Sequence, residues 1–245
     1  MVFPHVRRTD PGEAYILVVV ERTPMRAVPA AIAVLLLGSL AGCGLRPRET
    51  VSQQYRVEEP VTVLAITGDT MDVTVKPGDG PVTVVERRRW PSGGTPPATT
   101  HHTAAGRLEL TAAGCHRCDV TLTITVPAAT RTDIRVDTGK LTLRDLSGDA
   151  TASVDTGEIT GSGLRGGTYH VAVDSGRVEL THAVSPTDVV ATVDTGEVFV
   201  RVPGGASYAV RSDRGLSDVD VARDPSSPHA ITVNVDTGHA TVHQT

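Results

Sequence analysis

The chain has 245 residues and a mass of 25.7 kDa, with 23 basic and 28 acidic side chains, a net charge of −5 and a pI near 6.0. That balance excludes the basic footprint of a nucleic-acid binder, and no nucleic acid is expected as a partner. Val (36) and Thr (32) supply 68 of the 245 residues and aromatics only 3%, which excludes a helical bundle and calls for an all-β fold whose core is built from small branched side chains.

The first element in chain order is an address. Ala27 to Leu40 is an apolar run of 14 residues behind Arg22 and Arg26, too short to span a bilayer and the right length for a secretory signal. It ends Leu40-Ala41-Gly42-Cys43. This resembles the lipobox of bacterial lipoproteins at all four positions. The resemblance implies cleavage before Cys43 and a diacylglyceryl thioether on its sulfur, so residues 1–42 are expected to be a disordered or helical signal segment. A second apolar run, Ala14 to Val20, precedes Met25. Translation from Met25 would give a signal of conventional length, with 1–24 as an upstream extension. The mature part then carries 19 basic against 25 acidic groups, a net of −6.

Residues 43–56 read as anchor and polar tether, and 57–245 as the folded domain. Val61 to Leu64, Met71 to Val75 and Val82 to Val84 alternate with period two, as half-buried strands do. Pro77 to Pro81 is a turn. Trp90 to Ala105, with three Pro and two Gly, reads as a long surface loop. Strands resume at Arg107 to Leu110 and Val120 to Val126.

A repeat follows. Val136-Asp-Thr-Gly139 recurs as Val154-Asp-Thr-Gly157, Val173-Asp-Ser-Gly176, Val193-Asp-Thr-Gly196 and Val235-Asp-Thr-Gly238, with a weaker copy at Ser212-Asp-Arg-Gly215. The acids are Asp137, Asp155, Asp174, Asp194, Asp213 and Asp236, at steps of 18, 19, 20, 19 and 23. In each unit one alternating strand arrives, Asp-Thr-Gly bends the chain, with Gly free to take positive φ, and a second alternating strand leaves. About 20 residues extended at ~3.3 Å make either one circuit of a small coil or two strands and their turns. One unit buries too little to fold alone, and stacking joins the units into a narrow core. The last step, with Pro225 and Pro228 inside it, predicts a bulged loop or a distorted terminal unit.

This pattern resembles the bacterial putative-adhesin family of β-strand-repeat proteins, a domain of unknown function, over roughly Val57 to Val242. The resemblance implies a right-handed β-solenoid-like stack of 18–23-residue repeats and surface display. It carries over no catalytic residue.

Three motifs could carry chemistry. Hydrophobic-Asp-Thr-Gly is also the signature of aspartic proteases, where two carboxylates share a proton. Here the copies are many, evenly spaced and followed by Lys140, Glu158, Arg177, Glu197 and His239, where a protease carries Ser, Thr or Ala, so no enzyme is expected. Stacked acids would lie near 5 Å apart, so either they hydrogen-bond to backbone N–H groups as turn caps or a cation such as Ca²⁺ sits between them. Turn capping is the simpler reading, and no metal or other cofactor is expected. Cys115-His-Arg-Cys118 reads as a disulfide after an export signal. Zinc would need further ligands from His116, His101 or His102, and a thioredoxin-like role would need a βαβ context. Arg87-Arg88-Arg89-Trp90 is a compact basic patch that either contacts anionic headgroups or wall polymers or is simply solvated. The combined expectation is a non-enzymatic binding or adhesion module, held to the membrane by lipid on Cys43 and facing a cell-wall glycan or an envelope protein. The alternative is a structural or signalling accessory of an envelope-stress system.

Overall fold

A computed structural model describes residues 17–19 and 47–245, except 115, 116, 213 and 215. Strands dominate, and those of the described residues join one continuous sheet. They are β1 (Leu17–Val19), β2 (Arg48–Val57), β3 (Val63–Pro77), β4 (Val82–Pro91), β5 (Ala98–Ala104), β6 (Arg107–Ala113), β7 (Asp119–Val126), β8 (Arg131–Arg144), β9 (Ala150–Leu164), β10 (Thr168–His182), β11 (Asp188–Val202), β12 (Ala209–Arg211), β13 (Leu216–Asp220) and β14 (Ala230–Gln244).

The repeat is one circuit. Strands β9, β10, β11 and β14 are 15 residues each, and only residues 165–167 and 183–187 separate the first three. Each strand runs through its Asp-Thr/Ser-Gly corner and bends there. The burial parity shows the bend. Val173 and Val178 are five positions apart, yet both are buried. In a straight strand an odd separation would put them on opposite faces. The corner absorbs that switch, so both arms of the strand line one interior.

Stacking is parallel and in register. Val136, Val154, Val173, Val193 and Val235 pair in one inward column, and Leu141, Ile159, Val178, Val198 and Ala240 in another. Leu146, from the connection between β8 and β9, and Leu164, at the end of β9, close the core. The corner glycines form a third column, Gly139, Gly157, Gly176, Gly196 and Gly238, with φ of 135° to 145°. A Cβ on Gly176 would lie 1.8 Å from the Gly157 carbonyl oxygen. Only glycine lets successive corners approach this closely.

Both ends depart from chain order. Strand β14 lies between β11 and the pair β12 and β13. The strands on either side of the weaker copy, β12 and β13, therefore cap the stack beyond β14, although they precede β14 in sequence. Asp213 and Gly215 themselves lie outside the described residues. The irregular step of 23 is this return of the chain to fill the penultimate rung. At the other end β3 sits between β8 and a coil made of β6 and β7. Outside that coil β4 and β5 run antiparallel to β7 and β6, and β2 pairs antiparallel with β4.

Three expectations are corrected. The loop expected over Trp90 to Ala105 contains strand β5, joined to β6 by the two-residue turn Ala105-Gly106, with φ of 49° and 78°, as a type I′ hairpin requires. Its prolines, Pro91, Pro96 and Pro97, precede the strand and leave its N–H groups free to pair. The polar stretch expected as tether is strand from Arg48 onward, because ten residues of β2 find partners on β4. Within the expected signal segment, Leu17–Val19 pairs as a strand against Ser52 to Gln54.

Candidate functional site

The corners make a ridge across the stack. Register fixes what each coil adds to it. Asp137, Asp155, Asp174, Asp194 and Asp236 take the same position in their coils, each between a paired Val and a paired Thr or Ser, and all five are exposed. Beside them runs a hydroxyl column, Thr70, Thr138, Thr156, Ser175, Thr195 and Thr237. The glycines form the floor. Next comes a polar column in which Lys140, Glu158, Arg177 and Glu197 alternate in sign and His239 follows them.

The polar column is satisfied internally. Lys140 Nζ donates to Glu158 Oε2 at 2.8 Å, Arg177 pairs with Glu197, and His239 Nε2 lies 3.4 Å from Glu197 Oε1. The hydrogen bond from Lys140, aided by Thr160 and by the charge of Arg177, lowers the Glu158 carboxyl below its usual range. One row outward, Phe199 carries the Arg177 guanidinium 5.4 Å from its ring centre. A shallow open depression follows this column, lined by Gly157, Glu158, Gly176, Arg177, Gly196 and Glu197.

The Asp column behaves otherwise. Asp236 pairs with Arg214 at 3.1 Å. Among the described residues the carboxylates of Asp137, Asp155, Asp174 and Asp194 have no hydrogen bond or ion pair. The turn-cap role expected for them is corrected: the glycine conformation and the parallel ladder hold the corner, and the acids are displayed. Nor do these acids converge as an aspartic-protease pair must, because each coil contributes one of them to an open ridge. Among the described residues no group of three or more His, Cys, Asp or Glu side chains is placed to hold a metal.

The other expected residues are dispersed. Cys43 lies outside the described residues. Cys118, just before β7, is buried and engaged. Cys115 lies outside the described residues. The arginine patch is not compact: strand alternation turns Arg87 and Arg89 outward and Arg88 inward, 3.0 Å from the buried carboxylate of Glu86.

Sequence reasoning missed the first corner. Strand β3 carries Gly68-Asp69-Thr70, with the same residue types in another order, and Asp69 Oδ2 accepts the Gly114 N–H at 2.9 Å. It also missed the polar cluster in which Glu86 accepts from Gln53 and Thr99 beside Tyr55, whose phenol is raised by burial and by the Glu86 charge. A carboxylate on the apolar face of a Val-alternating strand was the available signal.

No family model and no curated protein matches the chain. In fold it is similar to a putative cell adhesion protein from Clostridium sporogenes, at 13% identity and a TM-score of 0.43, over 80% of this chain and 99% of that one. It is also similar to a putative adhesin from Bacteroides fragilis, at 13% identity and a TM-score of 0.40, over 82% of this chain and 99% of that one. A third is a putative adhesin from Parabacteroides distasonis, at 14% identity and a TM-score of 0.30, over 80% and 97%.

Proposed function

We propose that the chain is a lipid-anchored protein of the cell envelope, displayed outside the cytoplasmic membrane, that binds a wall glycan or an envelope protein without catalysing a reaction. The observation that carries this reading is the ridge: five coils present Asp, a hydroxyl and a paired charge at the same place, one rung apart by about 4.8 Å. Identical weak contacts on successive rungs add on a chain-like partner, and such addition raises avidity by roughly 10²–10⁴. The acyl group on Cys43 supplies the location, since each buried CH₂ contributes about 0.8 kcal/mol.

Binding of the purified protein to isolated cell walls and to whole cells tests the reading. Replacing Asp155, Asp174 and Asp194 together with Ser is expected to lower binding about 100-fold, and Asp174→Ser alone only a few-fold. Equal binding by the triple variant would remove the ridge from the account. Cys43→Ala is expected to leave the protein unacylated and its leader uncleaved, read by intact mass.

The same proposal includes a disulfide between Cys115 and Cys118. A four-residue loop constrains little chain, so Cys115→Ser is expected to cost less than about 2 kcal/mol. Peptide mass mapping of the unreduced protein is expected to recover the two cysteines linked; free thiols at both would refute the link.

A further inference from the structure

The outward face of the N-terminal end of the stack carries an excess of positive charge. Register assembles it from four strands distant in sequence. Arg56 on β2, Thr83 on β4, Thr125 on β7 and Lys76 on β3 lie in one row. Ser52, Arg87, Thr121 and Asp72 lie in a second, and Thr50, Arg89 and Asp119 in a third. At the outward positions of these strands, counting only the second arm of β3, Arg48, Arg56, Lys76, Arg87 and Arg89 stand against two acids, Asp72 and Asp119.

Both acids are occupied. Asp119 pairs with Arg48, and Asp72 Oδ1 accepts the Lys140 N–H at 3.0 Å. Among the described residues no carboxylate pairs with Arg56, Lys76, Arg87 or Arg89. The other half of the same face differs. There Lys140–Glu158, Arg177–Glu197 and Arg201–Glu179 neutralise one another. The positive excess is therefore local, on a chain whose net charge is −5. Between the cations lie Thr and Ser hydroxyls and the exposed Val85, a flat surface of donors and methyl groups.

We propose that this face docks on anionic phospholipid headgroups and lays the stack against the membrane. The inference rests on the anchor reading for its geometry: Arg48 follows Cys43 by five residues, a reach of about 17 Å at most, so β2 emerges beside the lipid surface. Clustered Lys and Arg near an anionic leaflet are each worth about 1 kcal/mol, screened by salt.

The test uses the full chain carrying Cys43→Ser, which cannot be acylated, in flotation with phosphatidylcholine vesicles with and without phosphatidylglycerol. The leader gives a baseline common to all variants, and the increment produced by phosphatidylglycerol reads the face. Arg87→Glu with Arg89→Glu is expected to cut that increment about thirty-fold, and high salt to abolish it. Arg131→Glu with Arg165→Glu makes the same change in net charge elsewhere on the stack and is expected to leave the increment intact. Arg87→Gln with Arg89→Gln guards against misfolding by charge reversal and is expected to give an intermediate loss. An equal loss from both charge-reversal pairs would reduce the effect to net charge and overturn the proposal. So would binding of soluble polyphosphate with no phosphatidylglycerol increment, which would assign the face to an anionic polymer. Acylation of the wild-type chain, read by mass, tests the anchor separately.

Discussion

Gly176→Ala is expected to destabilise the protein by about 4 kcal/mol or more, at the extreme of single substitutions. Two penalties add. At φ of 144° an L side chain is strained, at a cost of order 1–3 kcal/mol. Its Cβ would also stand 1.8 Å from the Gly157 carbonyl oxygen and 2.9 Å from that carbonyl carbon, and both belong to backbone fixed by the ladder on each side. Relief requires the coils to separate at the corner, which loosens the Val173 and Val178 columns behind it. Gly80→Ala is the control. Its φ is 93°, also positive, but a Cβ there meets nothing within 4 Å, so the expected cost is only about 1 kcal/mol. Urea denaturation of the two variants separates steric approach from conformational strain. Similar losses at both sites would show that the corners are not in close contact.

The stack was legible in the sequence because its coils repeat. Asp-Thr-Gly at a steady period marked the corners, and Val alternation on either side marked the arms. The order of the coils was not legible. Nothing in Ser212 to Gly215 or in residues 230–244 says which docks first on β11. That is decided by which strand offers two full arms: β14 supplies 15 residues without a break, whereas β12 and β13 supply three and five on either side of a corner. A short interrupted strand makes a poor interior rung and a good terminal one, since an end that offers few continuous N–H and C=O groups resists edge-to-edge aggregation.

The polar strands were hidden for a related reason. Strand β5 has exposed or half-buried residues throughout, so it shows no apolar period, and β2 has only Tyr55 and Val57 fully inward. Such strands are recognised by their partners, which sequence does not display. The candidate site was half legible. Asp137, Asp155, Asp174, Asp194 and Asp236 were identified as a column, but their exposure depended on the handling of the bend. The basic face was read as three consecutive arginines, whereas alternation discards Arg88 and register recruits Arg48, Arg56 and Lys76 from other strands.

Acidification is expected to destabilise the stack through one residue, His182. It ends β10 on the inward side, opposite Leu164 on β9 and one step past the pair Thr181–Arg201, so its other neighbour is Val202. It is 3% exposed, its ring meets Tyr169 edge-on at 4.9 Å, and neither ring nitrogen has a hydrogen-bond partner. Burial drives its pKa down to about 4. The unfolded chain takes up this proton near the ordinary value of about 6.5, so over the interval between the two values the unfolded state binds more protons. Stability is full above pH ~6.5 and declines as pH falls toward 4, by about 3 kcal/mol in all. His182→Leu places in the column the residue that β9 already uses there. It is expected to flatten the profile over this interval and to add about 1–3 kcal/mol at neutral pH, because two unsatisfied nitrogens leave the core. Denaturation midpoints at pH 7 and pH 4.5 for the two proteins decide it. An unchanged acid slope in His182→Leu would show that the buried imidazole of His182 is not the source of the acid sensitivity.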